Sequence, residues 1–292
     1  MSKTVLCVKK GLREITRKKR TVVFNVLIFA VSIMVLGTTL AYPSLIEALT
    51  KKAPNVIEDG SQILQVMQKL FPQTTRENMG IWSSDVVIFS TIVISLICCN
   101  LIPAEIKAGK WILPIEAGYS KGDLLFSKML IYGICTALPT FIGYNLYYAL
   151  SSLLITDNYA SLIALGNSIV LSVSLFFVTT ISISLSVICK NQISAVITVI
   201  MFVLAAPDIL SLFSFGRFFP TYFLTFLYNS ASNFQELIIP CVVLLAVQMA
   251  LWRISLKKLK QIEIARKMRE DGISIDTIIK YTGLQSSDIE NL

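Results

Sequence analysis

EIKAGKWILPIEAGYSKGDLLFSK (105–128) is a polar island between two segments apolar enough to cross a bilayer. Its pattern is too regular for a simple loop. Residues 104–111 read as a short helix, Pro114 and Gly118 interrupt it, and Ser120 is placed to cap a new helix. Ser120 with Asp123 three residues on has the spacing of a capping box. The acid then falls in the first turn, where the helix dipole favours negative charge. A helix, a break and a restarted helix between two spans is expected to touch a partner. A solvated turn with amphipathic edges is the plainer reading of the same residues.

The rest of the chain agrees with a membrane setting. Of 292 residues, 54% are hydrophobic and 15% charged, and the mean hydropathy is +0.70. Soluble domains carry about 25% charged residues. The apolar residues gather into runs of roughly 20, the length of helix that crosses about 30 Å of hydrocarbon. The expected fold is all-α: a polytopic membrane protein with six transmembrane helices at 21–42, 83–103, 129–155, 161–189, 193–213 and 237–256. An amphipathic helix at 1–20 precedes this 21–256 domain and a cytoplasmic helical tail, 257–292, follows it. An outer loop is expected at 43–82, carrying a short surface helix at 57–70, and an aromatic, re-entrant-like segment at 216–236.

The formal charge of +8 is placed beside the spans. Residues 1–20 carry eight Lys or Arg against the single Glu14, and Val5, Val8, Leu12 and Ile15 share one helical face. Such a helix lies in the cytoplasmic interface, and the basic flanks put both termini on that side. Lipid is therefore the partner the charge implies, and nucleic acid is not expected. A long charged region with no small-residue cleavage site argues against a secretory signal peptide.

Six cysteines lie in or beside apolar runs with no CxxC pair, and histidine is absent. That excludes Ser-His and Cys-His catalysis and His-based zinc sites, and no catalytic residue or metal site is expected. The polar residues at membrane depth are the candidate substrate path. They are Asn100 at the inner end of the second span, Asn145 in the third, Ser172 and Thr179 in the fourth, and Asp208 in the fifth. Pro139, Gly143 and Asn145 predict a kink in the third span. The serines and threonines of the fourth suit either close helix packing or a polar translocation surface. Asp208 follows Pro207, and an acid at that depth is a functional-site hypothesis by default.

KKGLREITRKKRT (9–21) resembles the interfacial elbow helix of the membrane subunit of type-2 ABC exporters. Glu105, Gly109, Leu113, Pro114, Tyr119, Ser120, Lys121 and Lys128 resemble the loop that carries that family's coupling helix. The six-span layout, with a broken outer segment before the last span, is similar too. The resemblance covers most of residues 5–256; the long outer loop and the tail depart from it. It implies that Glu105, Ile106, Gly109, Lys110 and Trp111 contact a cytoplasmic ABC ATPase, with Arg13, Glu14 and Arg17 at or near the junction. The chain has no G-x-x-x-x-G-K-[ST] phosphate loop, so ATP and Mg belong to the separate partner and this chain is not itself an enzyme. A half-transporter implies a second copy or a paralogue. The setting implied is the bacterial cytoplasmic membrane, and the substrate an amphiphilic peptide, drug or lipid-like molecule. The alternatives are a membrane-anchored sensor or immunity protein that binds a ligand through 43–82, and an ion-driven secondary transporter. The tail also resembles the C-terminal piece of transposase-like nucleases through Ala265, Lys267, Met268, Gly272, Thr282, Gly283 and Leu284. The catalytic core of such a nuclease is absent from this chain.

Overall fold

The computed structural model describes residues 25–38, 41, 74–155, 159–189, 191–206, 209, 238–286 and 289. Every regular element among them is helical. In chain order these are α1 (Asn25–Thr38), α2 (Thr75–Cys98), α3 (Leu101–Lys107), α4 (Ile112–Glu116), α5 (Lys121–Leu154), α6 (Ser161–Ile188), α7 (Gln192–Ile200) with a π-helical continuation (Met201–Ala205), α8 (Ile238–Glu270) and α9 (Ile275–Thr282).

Among the described residues, four stretches are long and apolar enough to cross a membrane: Thr75–Lys107, Lys121–Leu154, Ser161–Ile188 and Ile238–Glu270. Each of the other two expected spans contains, among the described residues, only a shorter apolar helix. Asn25–Thr38 and Gln192–Ala205 are apolar helices of 10–17 residues. Residues 21–24, 39–40, 42, 207–208 and 210–213 of those spans, Asp208 among them, the 1–20 helix, residues 43–73 and the 216–236 segment lie outside the described residues.

α6 is the centre of the bundle. Its apolar window is 67% buried, against 17% for α8, which runs along the outside. The serines and threonines explain how so polar a helix packs. Ser172, Ser174, Thr179, Ser182 and Ser184 each donate to the carbonyl four residues back. Each hydroxyl is satisfied within the helix, and a small side chain then faces its neighbour. Glycine provides the closest approaches. A Cβ added at Gly133 would lie 2.5 Å from the Phe176 ring, and one at Gly143 would lie 2.7 Å from Ile28 Cγ2. Gly143 is thus where α1 meets α5, which continues as one helix through Pro139.

Three boundaries differ from expectation. The second span begins at Thr75, so residues 75–82 belong to a helix and not to the outer loop. The reason is local: Thr74 Oγ1 accepts the Glu77 N–H at 3.2 Å, and Glu77 Oε2 accepts the Thr74 N–H at 3.3 Å. Trp82 is consequently in the core, stacked on Tyr147 at 5.4 Å and edge-on to Tyr144 at 5.6 Å. Its Nε1–H donates to Ser32 Oγ at 2.9 Å. One turn away, Asn78 donates to Ser151 Oγ at 2.7 Å and accepts from Tyr147 at 3.1 Å, tying α2 to α5.

The third span likewise starts early, at Lys121. The last span does not stop at 256. α8 continues to Glu270 because no glycine or proline interrupts 241–271. Gly272, at φ +77°, breaks the chain there. α9 then folds back, and Ala265, Ile278, Leu284 and Ile289 form a small second core.

Candidate functional site

The island between α2 and α5 is built from two left-handed glycines. α3 ends at Lys107, and the chain turns at Gly109, φ +66°. It forms the single turn α4 and turns again at Gly118, φ +80°, before α5. A residue with a Cβ is strained at such angles, which is why these breaks fall on glycine. Pro114 does not break the helix. It sits in the first turn of α4, where its missing N–H leaves no intrahelical bond unmade. Ser120 caps α5: its Oγ accepts the Asp123 N–H at 3.0 Å and donates to Asp123 Oδ2 at 2.7 Å. This is half of the expected capping box, with the acid returning to the hydroxyl.

A buried carboxylate holds the island to the bundle. Glu105 is only 4% exposed. Its Oε1 accepts from Lys128 Nζ at 2.7 Å and its Oε2 accepts the Trp111 indole N–H at 3.1 Å. One side chain therefore ties α3, the turn before α4 and the first turns of α5. Both oxygens must be engaged, because an unpaired charge at that depth costs several kcal/mol.

The outward face of the island is apolar. Leu113 is 76% exposed and Ile112 40%. Lys107 and Lys110 are exposed beside them.

The outer part of α8 packs against the same island. Lys121 pairs with Glu263 and donates to the Leu259 carbonyl at 3.0 Å. Lys258 donates to the Ile188 carbonyl at 3.0 Å, at the C-terminal end of α6, where a cation is favoured by the helix dipole. Between α4 and α8 lies a cleft of about 360 Å³.

The residues expected from sequence at the partner contact have different fates. Glu105 and Trp111 are buried and serve as the brace, while Lys110 is exposed; Ile106 and Gly109 are half-buried. Arg13, Glu14 and Arg17 lie outside the described residues.

The four expected path residues that are described, Asn100, Asn145, Ser172 and Thr179, do not converge. Asn100, exposed, lies at the island end. Asn145 is towards the opposite end, and donates to the Phe141 carbonyl of its own helix at 2.8 Å. Ser172 is satisfied within α6, and Thr179 additionally meets Thr136 of α5 at 2.9 Å. No three Cys, Asp or Glu side chains gather as metal ligands among the described residues. Two features escaped the sequence reading: the Glu105–Lys128 pair and the docking of α8 through Lys121. Their partners are 23 and 142 residues apart in the chain, beyond any local periodicity.

Comparison with protein-family models, curated proteins and solved structures finds no match for this chain.

Proposed function

We propose that this chain is the membrane subunit of an ATP-driven exporter of the type-2 ABC class, joined to its ATPase through the 105–128 island. One observation carries the reading. A short helix is held off the end of the bundle by glycine turns, braced by Glu105, and presents Leu113 outward at 76% exposure. A fixed apolar knob suits a partner that must push, because a rigid element transmits displacement and a loose loop absorbs it. Force on α4 reaches α5 through Lys128 and α8 through Lys121.

The wider reading is a six-span permease, with α1 and α7 within the first and fifth spans. The 1–20 segment lies as an elbow helix on the inner surface, and two copies, or this chain and a paralogue, enclose the path. Lys107, Lys110, Lys121, Lys257, Lys258 and Lys260 all fall at the island end, which supports placing that end and both termini in the bacterial cytoplasm. ATP and Mg are bound by the partner. Hydroxyl and aromatic side chains in the spans suit an amphiphilic peptide, drug or lipid-like substrate.

The test is purification of the tagged chain in mild detergent, assayed for co-purifying ATP hydrolysis. Wild type brings the activity down. Leu113→Glu, which alters only the exposed knob, and Gly109→Glu, which strains the turn, both lose it. A folded wild-type sample with no ATPase, or a Leu113→Glu variant that retains it, contradicts the proposal. Trp111→Glu is a poorer probe, since it places a second acid against Glu105.

A further inference from the structure

We propose that the outward face of α8, where the helix leaves the membrane, is a binding strip for anionic phospholipid headgroups. The inference depends on the membrane-spanning character of α8 and not on the exporter reading. From Ile238 to Trp252 the helix carries no charged residue. Val242 is 61% exposed and Met249 54%, on one face of the apolar part. The same face continues with Arg253, Lys257 and Lys260, all exposed, at helical spacings of four and seven.

The cations of this region are sorted by face. Those turned to the bundle are engaged: Lys258 donates to the Ile188 carbonyl at 3.0 Å, and Lys121 of α5 pairs with Glu263. Arg253, Lys257 and Lys260 have no hydrogen bond or ion pair among the described residues. The first acid in α8 is Glu263, and Lys121 already holds it. Three cations without a counter-charge, on a face whose preceding turns are apolar and exposed, call for an anion held at the membrane surface. An acidic soluble protein would complement the cations but not the apolar turns that lead into them.

Direction and reach fit headgroups. α8 leaves the hydrocarbon towards its C-terminus, and helical side chains lean towards the N-terminus. The long stems of the three cations therefore lean back to the membrane and snorkel to the phosphate layer. Arg253 and Lys260 are about 10 Å apart along the helix axis. The headgroup layer of one leaflet is about 5–8 Å deep, so the lean brings all three cations to it. The Arg253 guanidinium offers a phosphate two parallel N–H donors. Lys257 and Lys260 add attraction to a net negative headgroup, which a zwitterionic lipid does not return.

The test uses the full chain in nanodiscs of phosphatidylcholine. Part of the lipid is replaced by acyl-brominated phosphatidylglycerol or, separately, by acyl-brominated phosphatidylcholine at the same mole fraction, and tryptophan quenching is read. Trp252, next to Arg253 in the chain, reports contact at the strip. Wild type favours phosphatidylglycerol about tenfold, and Arg253→Gln/Lys257→Gln/Lys260→Gln brings the preference to within about twofold of none. These are exposed changes that remove no protein partner. Lys107→Gln/Lys267→Gln/Lys280→Gln removes the same charge from exposed positions off the strip and keeps the preference.

Equal quenching by the two lipids in wild type overturns the proposal. So does an unchanged preference in the strip variant, which would make another basic segment, 1–20 first, the lipid contact. An equal loss in the off-strip variant overturns it as well, because net charge and not this face would then select the lipid. If the strip variant keeps the preference but loses a co-purifying protein, the face belongs to that protein and the proposal falls.

Discussion

Glu105 concentrates the account into one side chain. Its two oxygens hold Lys128 and Trp111, and it is 4% exposed. Glu105→Ala removes the acceptor shared by Lys128 and the Trp111 indole, and the expected cost is about 3–5 kcal/mol, read as a lower unfolding temperature in detergent. Replacing both members, Glu105→Leu with Lys128→Met, recovers most of that loss, because the buried pair is then exchanged as a unit for apolar side chains. If the double variant is no more stable than Glu105→Ala, the pair is not the brace described. Gly133 gives a second prediction. Gly133→Val forces the Phe176 ring, 2.5 Å from the new Cβ, to move, at about 1–3 kcal/mol. Phe176→Leu in the same chain relieves part of the cost. The burial of these residues was not legible in the sequence: Glu105 and Trp111 were expected at a partner contact, and Gly133 was one small residue in an apolar run. Burial is set by what packs opposite, which local spacing does not encode.

Among the elements, the long α8 rod changes the picture most. A span expected to stop at 256 runs to Glu270, and its outer turns lie against the island. Glu263→Lys places like charges on Lys121 and Glu263's former position, and should free this part of α8. The expected outcome is faster tryptic cleavage within 257–269, reversed in the Lys121→Glu/Glu263→Lys double variant. Unchanged cleavage in the single variant would show that apolar packing alone holds the rod. The signal for this continuity was present in the uninterrupted absence of glycine and proline over 241–271. It was obscured by the change from apolar to charged residues at Arg253, which marks where a helix leaves hydrocarbon and not where it ends. The start of α2 was hidden the same way. The Thr74–Glu77 capping box was readable, but Arg76 and Glu77 gave the segment the look of a loop.

For the whole molecule, the all-helical, membrane-spanning class was legible from run length and composition alone. The runs at 161–189 and 129–155 correspond closely to α6 and the body of α5. The meaning of the serines in α6 was not legible, because close packing and a polar path use the same residues. In the structure the hydroxyls bond back to their own helix and the face is closed by neighbours. The coupling role of the island is the claim on which the functional account stands. It is tested by placing a photo-crosslinking amino acid at Leu113, irradiating intact cells and identifying what is attached. The account predicts a covalent adduct with a P-loop ATPase subunit, lost when Gly109 is replaced by Glu. Adducts to lipid alone, or to a protein with no nucleotide-binding site, would contradict it.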